Sequence, residues 1–133
     1  EQQKLVAEGA GAVAVAAAMF NKLPIKGKKT ICLVSGGNVD VTTLSRIVNR
    51  GLTKSGRKYS FIIDLDDKPG QLSGVCNVVA DQGGNIQSVT HERVNTAAEI
   101  NGCTVRVEMD TRDQAHIDSI RRALIASGFK VTN

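Results

Sequence analysis

The segment CTVRVEMD, Cys103 to Asp110, alternates without a break: Cys103, Val105, Val107 and Met109 are apolar, and Thr104, Arg106, Glu108 and Asp110 are polar. Successive side chains of an extended chain point to opposite faces, so this run is a strand with one buried and one wetted side. Such a strand needs partner strands and a second layer over its apolar face. The flanking sequence supplies both. YSFIIDLDD places Tyr59, Phe61, Ile63 and Leu65 opposite Ser60, Ile62, Asp64 and Asp66, and Pro69-Gly70 stops the strand. Leu72, Val75, Cys76, Val79 and Ala80 then form the stripe of an amphipathic helix that Gly83-Gly84 closes.

Ile86–Arg93 reads as a further strand, less cleanly patterned, and NTAAEINGC as a hairpin-type connection. TRDQ fits a capping box, with Thr111 as N-cap and Gln114 reaching back. Ile117, Ile120 and Leu124 give a second helical stripe, Gly128 ends it, and Phe129–Val131 is a short last strand. The order β-α-β-β-α-β predicts an α+β fold of the ferredoxin-like kind over residues 58–133: a four-stranded antiparallel sheet with both helices on one face.

The first part of the chain is built differently. Ala10–Phe20 predicts a helix of small residues, and Thr30–Val34 an apolar strand without alternation, buried on both sides as in a parallel sheet. Val41, Leu44, Ile47 and Val48 predict an amphipathic helix with Asp40 as its N-cap. Helix, strand and helix cannot close a core alone, so this part is expected to pack on something outside the chain. RGLTKSGRK, Arg50 to Lys58, reads as a linker, which divides the chain into residues 1–56 and 57–133. The sequence opens on Glu1 instead of Met, as a piece of a longer protein would.

Charge and composition narrow the function. Residues 1–56 carry eight Lys/Arg against three Asp/Glu, and residues 57–133 nine against ten. The excess positive charge flanks turns, at Lys26, Lys28 and Lys29, and aromatic residues for base stacking are scarce, which argues against a nucleic-acid role. The third strand lacks the paired aromatics of an RNA-recognition strand, despite the shared layout. Cys32, Cys76 and Cys103 form no C-x-x-C pair, and each sits in an apolar segment, so they read as reduced core residues of a cytoplasmic protein. Gly9–Phe20 is too short and too rich in alanine to cross a bilayer, so no membrane association is expected. His91 and His116 read as surface residues apart from any carboxylate or cysteine cluster, with no metal site, and Arg121-Arg122 as a solvated helix face.

Ser35-Gly36-Gly37-Asn38 stands between the predicted Thr30–Val34 strand and the helix after it. A turn without a ligand is one reading. The spacing matches neither G-x-x-x-x-G-K-[ST] nor G-x-G-x-x-G, so the known phosphate-cradling loops are excluded. A nucleophilic serine would need G-x-S-x-G and a histidine partner. What remains is a hydroxyl presented at the carboxyl end of a strand, where open α/β sheets bind ligands.

AEGAGAVAVAA followed by PIKGKKTICLVSGGNVDVTTLSRIVNRGLTKSGRKY, from Val6 to about Tyr59, resembles the carboxyl-terminal end of the catalytic domain of threonine ammonia-lyases (threonine dehydratases), which use pyridoxal phosphate on a type II fold. The resemblance implies that Ser35 hydrogen-bonds the pyridine nitrogen, with Gly36, Gly37 and Asn38 letting the chain approach the ring. Glu8 matches a glutamate near the cofactor, or serves as a buried helix cap. A hydroxyl partner need not keep the ring nitrogen protonated, which suits elimination. For the parent enzyme the implied reaction is deamination of L-threonine to 2-oxobutanoate and ammonia, in isoleucine biosynthesis or threonine catabolism. The Schiff-base lysine region and the S-G-G-G-L phosphate loop of that family have no counterpart here. No catalytic residue and no bound cofactor is therefore expected in this chain, whose first partner is the rest of the catalytic domain.

Residues 58–133, with D-x-P-G-x-L at Asp67–Leu72 and G-G-N-I at Gly83–Ile86, resemble an ACT domain. That family binds small ligands, usually amino acids, where the loop between the first strand and first helix meets a partner subunit. By this resemblance Gly70, Gln71 and Leu72 hold a carboxylate on helix N-terminal amides, Asp66 or Asp67 meets an ammonium group, and Asn85 and Ile86 complete the pocket beside the loop or across a dimer. The implied partners are an effector such as isoleucine or valine, and copies of the same chain in a homo-dimer or higher oligomer. The alternative is an ACT module that dimerises without any ligand.

Overall fold

In a computed structural model, residues 5–93 and 102–132 are described, and the chain divides into two units, Glu1–Ile47 and Val48–Asn133. The first unit holds helix α1 (Val13–Met19) and the start of α2 (Val41–Lys54). The Thr30–Val34 segment is not a strand here, and Ile31 and Leu33 are almost fully exposed. A parallel strand draws its hydrogen bonds from neighbours, and the two helical elements of this unit offer none. α1 begins at Val13, three residues later than the run of small residues suggested.

α2 starts as expected, with the Thr43 N–H donating to Asp40 Oδ1 at 2.9 Å. It then runs to Lys54, through most of the segment read as a linker, because Leu52 continues the apolar stripe of Leu44, Ile47 and Val48. The Thr43 hydroxyl, then its backbone N–H, hold the Asp40 carboxyl below the usual aspartate range. A carboxyl depressed by folding stabilises the helix above its unfolded pKa and loses that contribution as pH falls through the lower, folded value. Acidification through and below the ordinary aspartate range should therefore fray residues 41–46, read by NMR chemical shifts. Asp40→Asn should keep the cap and abolish the step; the same titration in that variant would show that Asp40 is not its source.

The second unit follows the βαββαβ order: β1 (Lys58–Asp66), α3 (Gln71–Asp81), β2 (Asn85–Glu92), β3 (Gly102–Asp110), α4 (Gln114–Ala126) and β4 (Lys130–Val131). The strands form one antiparallel sheet in the order β2-β3-β1-β4. In the central pair Phe61 lies opposite Val107, Ile63 opposite Val105 and Leu65 opposite Cys103, so both alternating patterns put their apolar sets on one face. Val75 and Val79 of α3, with Ile117, Ile120 and Leu124 of α4, cover that face in a single buried cluster. Val78 joins the packing where the sequence pattern had favoured Ala80, which is exposed. Of the hairpin-type connection NTAAEINGC, residues 95–101 lie outside the described residues, and Gly102 and Cys103 already belong to β3.

β2 is poorly patterned for a structural reason. Its pairing with β3 shifts between Ile86 and Ser88, so Gln87 is an extra residue, a β-bulge. Beyond it the phase inverts, and Val89 and His91 face the same side as their partners Val107 and Val105.

Three readings at α4 are corrected. The N-cap is Asp113, whose carboxylate accepts from the His116 N–H at 2.9 Å. Thr111 is instead buried and donates its hydroxyl to the Gly56 carbonyl at 2.5 Å. His116 is not a surface residue. Its Nδ1 accepts from the Arg112 N–H at 3.1 Å, which leaves Nε2–H to donate to the Gln82 carbonyl at 2.8 Å. The ring thereby ties the start of α4 to the end of α3. Arg121 does not belong to a solvated face either: its guanidinium lies 5.2 Å from the Phe61 ring centre and donates to the Tyr59 hydroxyl at 2.8 Å.

Candidate functional site

The loop after β1 gathers most of the residues singled out as an effector site. Asp66 closes the strand, and its carboxylate pairs with Lys68 Nζ at 2.8 Å, which holds the Lys68 ammonium above its usual pKa. Asp67 pairs with Arg93 Nε at 3.3 Å. Both pairs are solvent-exposed and therefore weak and exchangeable. Gly70 takes a left-handed conformation, φ 90°, as N-cap of α3, and no side chain caps the helix there. Gln71 and Leu72 open the helix and are half-buried. Two exposed carboxylates thus stand beside a helix start whose first-turn amides carry no side-chain cap, a pairing of charges suited to a zwitterion.

Asn85 and Ile86 lie elsewhere. Asn85 is opposite Asp110, which is opposite Lys58, whereas Asp66 is opposite Gly102. Within one chain, therefore, the full length of β3 separates Asn85 and Ile86 from the loop. A recess of about 300 Å³, lined by Thr53, Lys58, Tyr59, Ser60 and Glu108, opens toward that far end. It is at the small limit of ligand pockets.

Sequence reasoning missed the surroundings of Asp67. His91 was read as standing apart from carboxylates and cysteines, yet ligand atoms of Asp67, His91 and Cys103 lie within 4.8 Å of one another. Sheet register and the Gln87 bulge bring them together, and no local spacing records either.

In the first unit, Glu8 meets the S-G-G-N turn. Its N–H donates to the Gly36 carbonyl at 3.0 Å, and a Cβ on Gly36 would run into its carboxylate. Gly36 has φ 72°, a conformation that favours glycine. A Cβ on Gly11 would collide with the Ser35 carbonyl. These glycines thus admit close chain-to-chain packing. Ser35, Gly37 and Asn38 are exposed. As a cofactor seat this unit offers the exposed Ser35 hydroxyl next to Gly36, which fits a contact to a ring nitrogen.

The ACT domain family model matches residues 59–126, which take in β1, β2, β3 and both covering helices. The chain belongs to the ACT domain family. It is 47% identical over 131 residues to an L-threonine ammonia-lyase of Thermotoga maritima, covering 98% of this chain and 32% of that protein. An L-threonine ammonia-lyase of Geobacter sulfurreducens is 38% identical over 131 residues, 98% of this chain and 33% of that protein. An L-threonine dehydratase of Lactococcus lactis, named as biosynthetic, is 44% identical over 68 residues, 51% of this chain and 16% of that protein. The chain thus spans about a third of the length of the first two relatives. Among its described residues no helix is long and apolar enough to cross a membrane.

Proposed function

We propose that this ACT domain binds a small amino acid and thereby regulates a threonine-deaminating, pyridoxal-phosphate-dependent enzyme, of whose catalytic domain residues 1–56 form the end. The observation that carries the reading is the loop Asp66–Leu72, where carboxylates for an ammonium group stand next to a helix start without a side-chain cap, suited to a carboxylate. The similarity to L-threonine ammonia-lyases over nearly the whole chain supports the attachment. So do the exposed apolar residues Ile31, Leu33 and Val34, which suit burial against the rest of a catalytic domain. Ser35 would then meet the cofactor's ring nitrogen. The cofactor, when bound, supplies the electron sink for loss of the α-proton and the β-hydroxyl.

The effector pocket is split between two copies of the chain. One copy contributes the Asp66–Leu72 loop and the other Asn85 and Ile86, because β3 holds these groups at opposite ends within one copy. A ligand that binds one arrangement of the pair better than another shifts the attached catalytic domain by that difference in affinity. Branched amino acids, isoleucine or valine, are the favoured class, and the cytoplasm the favoured compartment.

Thermal melting against isoleucine, valine, threonine and serine tests this. At a hundredfold excess over Kd the gain is about 2.7 kcal/mol, a rise in Tm of roughly ten degrees or more for a unit this small. A shift with one branched amino acid that is lost in Asp67→Ala supports the site. No shift with any of the four points to the second reading, a ligand-free dimerisation module. β2 favours that one, since it is an eight-residue edge strand with exposed Val89.

A further inference from the structure

We propose that Asp67, His91 and Cys103 form a binding site for a divalent late-transition cation, with zinc as the representative ion. A carboxylate oxygen, an imidazole nitrogen and a thiol sulfur come within 4.8 Å of one another at one end of the sheet. Tetrahedral zinc with bonds of about 2.0–2.3 Å sets its ligand atoms about 3.3–3.8 Å apart, so closure needs movements of about an ångström. Asp67 and His91 are exposed and can move that far, while Cys103 is buried and forms the fixed floor. Imidazole and thiolate select late-transition ions over magnesium or calcium. Three protein ligands leave a fourth position to water or a small ligand.

The fold itself supports the site. The Gln87 bulge inverts the phase of β2, which turns His91 onto the face that Cys103 occupies. Without that extra residue His91 would point to the other side of the sheet. The Arg93 pairing of Asp67 is the competing arrangement; it is solvent-exposed, and its loss costs little.

Burial, then the Asp67 carboxylate and more weakly Asp66, hold the Cys103 thiol above its usual range, and Arg93 acts in the opposite sense. The thiol proton must leave to solvent as the sulfur–metal bond forms. Binding therefore releases a proton.

The inference does not depend on amino-acid binding, although Asp67 serves both sites. The reduced chain, freed of metal with a chelator, is titrated with Co(II) in the absence of amino acids, and Zn(II) is then used to displace it. The expected result is one equivalent per chain, with a thiolate-to-cobalt charge-transfer band in the near ultraviolet and strong d–d absorption. Cys103→Ser should abolish the band, whereas Cys32→Ser and Cys76→Ser keep it. His91→Ala replaces an exposed side chain, so the fold is retained, and zinc affinity should fall at least about tenfold. No band in the parent chain, a band that survives Cys103→Ser, or unchanged zinc affinity in His91→Ala would each overturn the site. Melting against amino acids with the chelator present keeps the effector question separate.

Discussion

Phe61→Ala is expected to remove about 3–5 kcal/mol from the ACT unit, a large part of what a unit of this size possesses. Phe61 is fully buried in the middle of β1, directly opposite Val107. Its ring meets Tyr59 edge-on at 4.8 Å between centres, and the Arg121 guanidinium lies over it at 5.2 Å. Truncation therefore leaves a cavity beneath α4 and also takes the aromatic face from a half-buried cation. The variant should melt tens of degrees lower or fail to fold at room temperature, as read by urea unfolding or calorimetry. Val89→Ala, on the exposed edge strand, should cost about 0.5 kcal/mol or less and serves as the contrast. A loss below about 1.5 kcal/mol for Phe61→Ala would mean that the layer over β1 can collapse onto the vacated space.

Gly56→Ala should cost about 2–5 kcal/mol although it adds a single methyl group. Gly56 has φ 69°, where an L-residue is strained by about 1–2 kcal/mol. A Cβ there would stand 2.8 Å from the Gln114 backbone nitrogen and 3.0 Å from the Asp113 carbonyl carbon, so backbone must move. Overpacking of that kind adds about 1–3 kcal/mol. The same residue accepts the buried Thr111 hydroxyl, and the Thr111 N–H donates to the Arg57 carbonyl at 3.0 Å, so the chain entering β1 is pinned to the start of α4. Gly51→Ala is the informative comparison. It lies inside α2 with nothing within 4 Å of the added methyl, and should stabilise that helix by about 0.5–1 kcal/mol. If both glycines tolerate alanine equally, the Gly56 junction is not the rigid joint that its contacts describe.

The two outcomes separate what was legible in the sequence from what was not. Phe61 was legible. Alternation in β1 and β3 and the stripes of α3 and α4 follow from backbone geometry that repeats every two residues in a strand and about every 3.6 in a helix. Four antiparallel strands under two helices bury those stripes together in one cluster. Gly56 was not legible as a joint. RGLTKSGRK has the composition of a linker, and only the meeting with Thr111 and Asp113, more than fifty residues away, makes it a fixed corner. Thr30–Val34 failed in the opposite sense, since its composition suits a strand but strand structure needs a neighbour to pair with. His116 and Arg121 likewise looked like surface residues, because burial of a polar side chain depends on partners that local patterning does not record.

The candidate site divides in the same way. By itself the sequence determined the loop Asp66–Leu72, since an aspartate pair followed by Pro-Gly and an apolar stripe encodes a strand end, a turn and a helix start in consecutive residues. Only the tertiary structure decided that Asn85 and Ile86 lie at the other end of the sheet, and that His91 and Cys103 stand with Asp67. The reason is register: antiparallel pairing and one bulged residue determine which distant side chains share an end and a face, and that information belongs to the hydrogen-bond ladder between strands and not to any single strand.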